Sequence, residues 1–135
     1  MSNNETVSIV KSLNTLYLPA NDPIRTAQWY ADNLGLTFLL PPSPGQAQLA
    51  FPSGQSLFLI HADPGVRASF ANSDDHPQAV VTIEVNDVNR LYETFLARGL
   101  DVQMFEERGG CGDGFDVRDP AGNLLHLWGG WPVEQ

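Results

Sequence analysis

Positive charge is what this chain has least of. Seven Lys and Arg stand against sixteen Asp and Glu, a formal net charge of −9 over 135 residues. Such a balance argues against nucleic acid or an anionic membrane as partner and favours a neutral or cationic one, although solubility alone accounts for it equally well. Cysteine is nearly absent too: the single Cys111 excludes an intramolecular disulfide. No apolar run approaches the roughly twenty residues that cross a bilayer, and the polar opening Met1 to Thr6 lacks a signal-peptide pattern. A cytoplasmic protein is the simplest expectation. With 42% hydrophobic residues, the chain is long enough to bury a core as one globular domain over residues 1–135.

What is present is a duplication. Leu16-Tyr17-Leu18-Pro19-Ala20-Asn21-Asp22 returns as Val81-Thr82-Ile83-Glu84-Val85-Asn86-Asp87. Each copy leads from an alternating strand into a helix that starts at Asp22 or Asp87, carboxylates suited to capping orphan N–H groups, with Pro23 at a position that needs no donor. Each helix stops at Gly-Leu, Gly35-Leu36 and Gly99-Leu100, where glycine supplies the left-handed residue. Ile24, Ala27, Ala31 and Leu34 are spaced for one helical face, as are Val88, Leu91, Tyr92, Phe95 and Leu96.

Short strands follow both helices: 37–40, 46–51 and 55–60 in the first copy, and 101–105, 115–118 and 123–128 in the second, separated by Pro- and Gly-rich turns. The expected fold is therefore α+β, two tandem βαβββ modules forming a curled mixed sheet with a concave ligand cleft. The first module spans about 12–63, a polar connector about 62–78, and the second module about 79–129.

This strand-helix-three-strand duplication, with Trp29-Tyr30-x3-Leu34-Gly35 closing the first helix and Asp119-Pro120-Ala121-Gly122-Asn123 in the last turn, resembles the vicinal oxygen chelate superfamily. That group includes glyoxalase I, extradiol dioxygenases, methylmalonyl-CoA epimerase, and fosfomycin- and bleomycin-resistance proteins. The resemblance covers residues 12 to 129. It implies a cleft on the concave side of the sheet, a homodimer and, in the enzymes, a divalent metal held by four His, Gln or Glu side chains. Carried onto this sequence, those four positions are Thr15, Phe58, Val80 and His126. Val and Phe have no donor atom, and a neutral Thr hydroxyl is a poor ligand beside imidazole or carboxylate. No metal and no cofactor are therefore expected. His61 with Asp63, and Asp74-Asp75-His76, fall at none of the four positions and are read as solvated loop residues.

Strand parity supplies the rest of the site, because alternate residues share a side. Leu16, Leu18 and Ala20, with Val81, Ile83 and Val85, should pack under the helices, as should Leu57, Leu59, Leu125 and Leu127. Thr15, Val80 and the candidate ligand-binding residues Tyr17, Phe58, Ile60, Thr82, Glu84, His126 and Trp128 then point into the cleft. An aromatic, largely apolar cleft with a few polar groups is how small-molecule sites are built, while the same aromatics would serve equally in a core or a subunit contact. Glu84 and His126 would suit an acid/base pair, but they stand on different strands and the sequence offers no third group to orient them, so ligand binding is the preferred role. The loop from Arg108 to Gly114 reads as a flexible flap over the cleft mouth rather than a phosphate cradle or a nucleophilic Cys111 site, and Trp131 could reach the same rim or a dimer contact. The expected function is binding of a small, aromatic or cationic compound, closest in type to the metal-free bleomycin-resistance proteins. A glyoxalase- or dioxygenase-like enzyme with a non-standard metal site is the alternative, and a regulatory dimerisation platform is a third.

Overall fold

The computed structural model describes residues 8–103 and 105–132. Its elements, in chain order, are β1 (Thr15–Ala20), α1 (Pro23–Leu34), β2 (Thr37–Phe38), β3 (Gln46–Ala50), β4 (Ser56–His61), β5 (Phe70–Ala71), β6 (Pro77–Gln78), β7 (Val81–Glu84), α2 (Val88–Ala97), β8 (Gly114–Arg118) and β9 (Leu124–Trp128), with a 3₁₀ turn at Gly109–Cys111 between α2 and β8. Two mixed sheets dominate, one in the order β1-β4-β3-β2 and one in the order β7-β9-β8. Both follow one plan: the strand before the helix pairs parallel with the last strand, β1 with β4 and β7 with β9, and the last strand pairs antiparallel with its predecessor. The sequence repeat thus becomes a repeat of topology, in an α+β fold whose described residues form two α-helices and no closed barrel.

The first helix is built as its sequence suggests. Asp22 Oδ1 accepts from the Arg25 backbone N–H at 3.2 Å, Pro23 opens the helix, and Gly35 closes it with φ 71°, its N–H donating to the Ala31 carbonyl. The second helix departs from expectation at its start: Asp87 has φ 49° and its side chain makes no capping bond. A left-handed backbone lies away from the extended geometry from which a capping oxygen reaches the helix.

The buried helical faces are rotated from those the spacing suggested. Pro23, Thr26, Ala27 and Tyr30 are buried on α1, and Val88 and Phe95 on α2, while Ile24 and Leu96 are 43% and 46% exposed. Phe95 joins Trp29, Tyr92, Phe105 and Phe115 in a cluster of edge-to-face and tilted contacts, with Phe105 stacked on Phe115 and ring centres 5.1 to 6.4 Å apart. Leu57, Leu59, Leu125 and Leu127 are fully buried, as strand parity required.

The strand expected over 101–105 is reduced to two isolated bridges, Val102 with Val117 and Glu106 with Gly114. The outer segment advances four positions where β8 advances three, so one residue is extra and the ladder is interrupted. The connector carries a miniature hairpin, β5 with β6, whose turn is tied by Asn72 Oδ1 accepting from the Asp74 and His76 N–H groups.

Asn123, fully buried, joins the two halves. Its Nδ2 donates to the Pro19 carbonyl at the end of β1 and to Asp119 Oδ2, and its Oδ1 accepts from the Ala68 N–H in the connector. From α1, Tyr30 Oη donates to Asp119 Oδ2 at 2.6 Å. The last turn of the second sheet is thereby fastened to the first helix and strand.

Candidate functional site

In each sheet, residues paired directly across strands point to the same side. On the first sheet the side away from α1 carries the cross-strand row Tyr17, Phe58 and Gln48, and beside it Pro19, Ile60 and Gln46. Tyr17 stacks on Phe58 with ring centres 5.6 Å apart and planes 26° from parallel, and Tyr17 remains 64% exposed. Burying so exposed an aromatic against a flat molecule would gain both area and stacking.

On the second sheet the corresponding rows are Thr82, His126 and Asp116, then Glu84, Trp128 and Gly114. His126 is buried, and its Nδ1 lies 2.8 Å from Asp116 Oδ1. Gly114 makes room for that ring: a Cβ there would stand 2.6 Å from Nε2 and 2.7 Å from Cε1. Glu84 is exposed, with its carboxylate close against Gly130. Trp128 donates from Nε1 to the Cys111 carbonyl at 2.8 Å and meets Trp131 edge to face at 5.0 Å.

The loop from Arg108 to Gly114, expected as a flexible flap, is docked on β9. Besides the Trp128 bond, the Gly129 N–H donates to the Asp113 carbonyl and the Arg108 N–H to Asp113 Oδ1. With Gly129, Gly130, Trp131 and Pro132 and the start of α2, it borders an open cavity of about 470 Å³. Trp131 does reach this rim.

A second cavity, of about 500 Å³, runs along the edges of β1 and β7. Of the seven sequence-predicted site residues it is lined by Thr82 and Glu84 only; its apolar wall comes from Leu13, Leu16, Phe51, Val81, Ile83 and Val85. Leu16, Val81, Ile83 and Val85, expected beneath the helices, are half-buried instead. The reason is position: β1 and β7 end their sheets, and α1 packs over β3 and β4. The predicted residues thus form two groups, Tyr17, Phe58 and Ile60 on one sheet and Thr82, Glu84, His126 and Trp128 on the other, with this cavity along the edge strands. Two polar residues of the exposed faces, Gln48 and Asp116, were missed from the sequence. Parity applied to β3 and β8 would have found both, since they lie level with Phe58 and His126.

The four positions that hold a metal in related enzymes do not fit one here. Thr15 Oγ1 is engaged with Asn14 and Ser56, Phe58 and Val80 carry no donor, and His126 faces Asp116. Among the described residues no group of three or more His, Cys, Asp or Glu converges on a point.

Arrangement and sequence agree on kinship, since the sequence profile of the Glyoxalase/Bleomycin resistance protein/Dioxygenase superfamily matches residues 12–127. The chain belongs to that superfamily. No curated protein matches it by sequence. Among solved structures, this member of the superfamily is similar to lactoylglutathione lyase from Agrobacterium tumefaciens, with 21% identity over 90% of this chain and 95% of that one and a TM-score of 0.69. It is similar as well to an antibiotic binding protein from Streptomyces sp. CB03234, with 19% identity, 90% and 98% coverage and a TM-score of 0.69. A third is the bleomycin-binding protein of bleomycin-producing Streptomyces verticillus, solved with copper(II)-bleomycin, with 24% identity, 90% and 99% coverage and a TM-score of 0.62. At these identities the likeness establishes the fold, which in this superfamily serves lyases and drug-binding proteins alike.

Proposed function

We propose that this chain is a small-molecule binding protein that holds a flat aromatic or cationic aromatic compound without a metal. The observation that carries the reading is the exposed Tyr17–Phe58 stack on one sheet and the Glu84–Trp128 row on the other. Aromatic walls attract planar and cationic rings by roughly 0.5–2 kcal/mol per contact, and the Glu84 carboxylate orients a positive charge. The net charge of −9 acts in the same sense and repels small anions. The donor set at Thr15, Phe58, Val80 and His126 supports the metal-free part of the reading, and a homodimer working in the cytoplasm completes it.

Calorimetric titration with 9-aminoacridine, a planar cation, and with a glutathione thioester, an anion, tests this. The cation should bind more tightly, Trp128→Ala should weaken both, and Glu84→Gln should weaken the cation selectively. Tighter binding of the thioester, with a ranking indifferent to Glu84→Gln, would move the protein to the second reading, a glyoxalase-like enzyme. That reading has one observation in its favour, the His126–Asp116 pair, because it supplies the orienting group that the sequence lacked.

A further inference from the structure

The His126–Asp116 pair carries a more specific consequence, which rests on the proposed ligand-binding face of the second sheet. We propose that Asp116 fixes the His126 imidazole with its proton on Nδ1, so that Nε2 is a standing hydrogen-bond acceptor that selects aromatic ligands bearing an O–H or N–H donor. Three features of the molecule converge on this. The carboxylate oxygen 2.8 Å from Nδ1 can only accept when ionised, which places a proton on Nδ1, and in the neutral imidazole this leaves the Nε2 lone pair unused. Among the described residues nothing hydrogen-bonds to Nε2, and the imidazole keeps 11% of its surface exposed. Gly114, directly beneath, has no side chain to cover the ring.

The position suits recognition. Thr82 and Asp116 flank His126 in its cross-strand row, and the exposed Glu84 and half-buried Trp128 form the next row. An aromatic ligand lying against Trp128 brings its edge toward the imidazole. A donor on that edge meets the acceptor, whereas a ligand without one leaves Nε2 unpaired. Asp116 is thus a positioning residue acting through His126, and it distinguishes ligands by what they donate, whereas Glu84 distinguishes them by charge.

The test uses the full chain and two neutral, nearly isosteric probes, 2-naphthol and 2-methoxynaphthalene, titrated by calorimetry at pH 8. Imidazole ¹⁵N spectra are recorded alongside and assigned by their loss in His126→Phe. Wild type should carry the His126 proton on Nδ1 and bind 2-naphthol about fivefold more tightly than its methyl ether, the scale of one net hydrogen bond. Asp116→Asn should move the proton to Nε2, as an amide that donates to Nδ1 requires, and abolish the preference while leaving the ether's affinity intact. His126→Phe should likewise equalise the two probes. A wild-type ring protonated on Nε2, or a preference that survives Asp116→Asn, would overturn the proposal. Equal binding of both probes to wild type would overturn the acceptor and leave the aromatic cleft standing, whereas no binding of either would overturn the cleft and the acceptor together.

Discussion

Two side chains at the centre of the molecule make the strongest residue-scale prediction. Tyr30 and Asp119 are both buried and share one short hydrogen bond. Burial raises the Tyr30 phenol well above its ordinary range, and the neighbouring Asp119 charge adds to the shift. Burial raises Asp119 as well, against the pull of its hydrogen bonds from Tyr30, Asn123 and Ala121. For both groups the folded chain holds a proton that the unfolded chain releases, so stability falls as pH rises through each window. For Asp119 the loss begins at the ordinary carboxylate range and extends upward; for Tyr30 it begins near pH 10. Denaturant melts of Asp119→Asn across pH 3 to 8 should lack the acidic component, and Tyr30→Phe should lack the alkaline one. Tyr30→Phe should also cost about 1.5–3 kcal/mol at pH 7, the value of a hydrogen bond to a charged group. Gly114→Ala belongs to the same scale. Its Cβ would overlap the His126 ring, so it should destabilise by about 1–3 kcal/mol and displace the His126 ¹⁵N signals.

At the scale of elements, the two helix starts look alike in sequence and behave differently. Asp22→Ala removes a capping bond and should cost about 1 kcal/mol in thermal or denaturant unfolding. Asp87→Gly removes none and relieves a left-handed aspartate, so it should be neutral or stabilising by up to about 1 kcal/mol. Both helices and the strands that pair as β1, β3, β4, β7, β8 and β9 were legible because alternation, turn residues and helix stops are local signals. Burial of Leu57 and Leu59 on β4 followed from the same alternation, as did the exposure of Tyr17 on β1, whereas β9 is buried without alternation from Leu124 to Leu127, His126 included. Three features were not legible, each for a tertiary reason. The bulged segment around 102–106 depends on register with β8, the half-burial of Leu16 and Ile83 depends on their strands being sheet edges, and the His126–Asp116 contact depends on which residues β8 and β9 bring level. The proposed site residues were read from one strand at a time; parity on β8 would have added Asp116 to that face, but its contact with His126 needs the β8–β9 register.

At the scale of the whole molecule, the repeat yields two sheets of like topology, each with an open edge, and large apolar side chains such as Val10, Leu13, Tyr17 and Ile60 are left exposed. Open edges and exposed apolar groups are what a symmetric partner covers, and sedimentation at micromolar protein should give twice the chain mass; a concentration-independent monomer would contradict the proposed homodimer. In the proposed function a planar ligand is held on the aromatic faces of the two sheets. Amide chemical-shift mapping during titration with 9-aminoacridine tests it most directly. That placement predicts saturable shifts concentrated at Tyr17, Phe58, Thr82, Glu84 and Trp128, with Leu39, Leu40 and Val66 on the remaining surface unmoved. Shifts confined to those last residues, or none at saturating ligand, would contradict it.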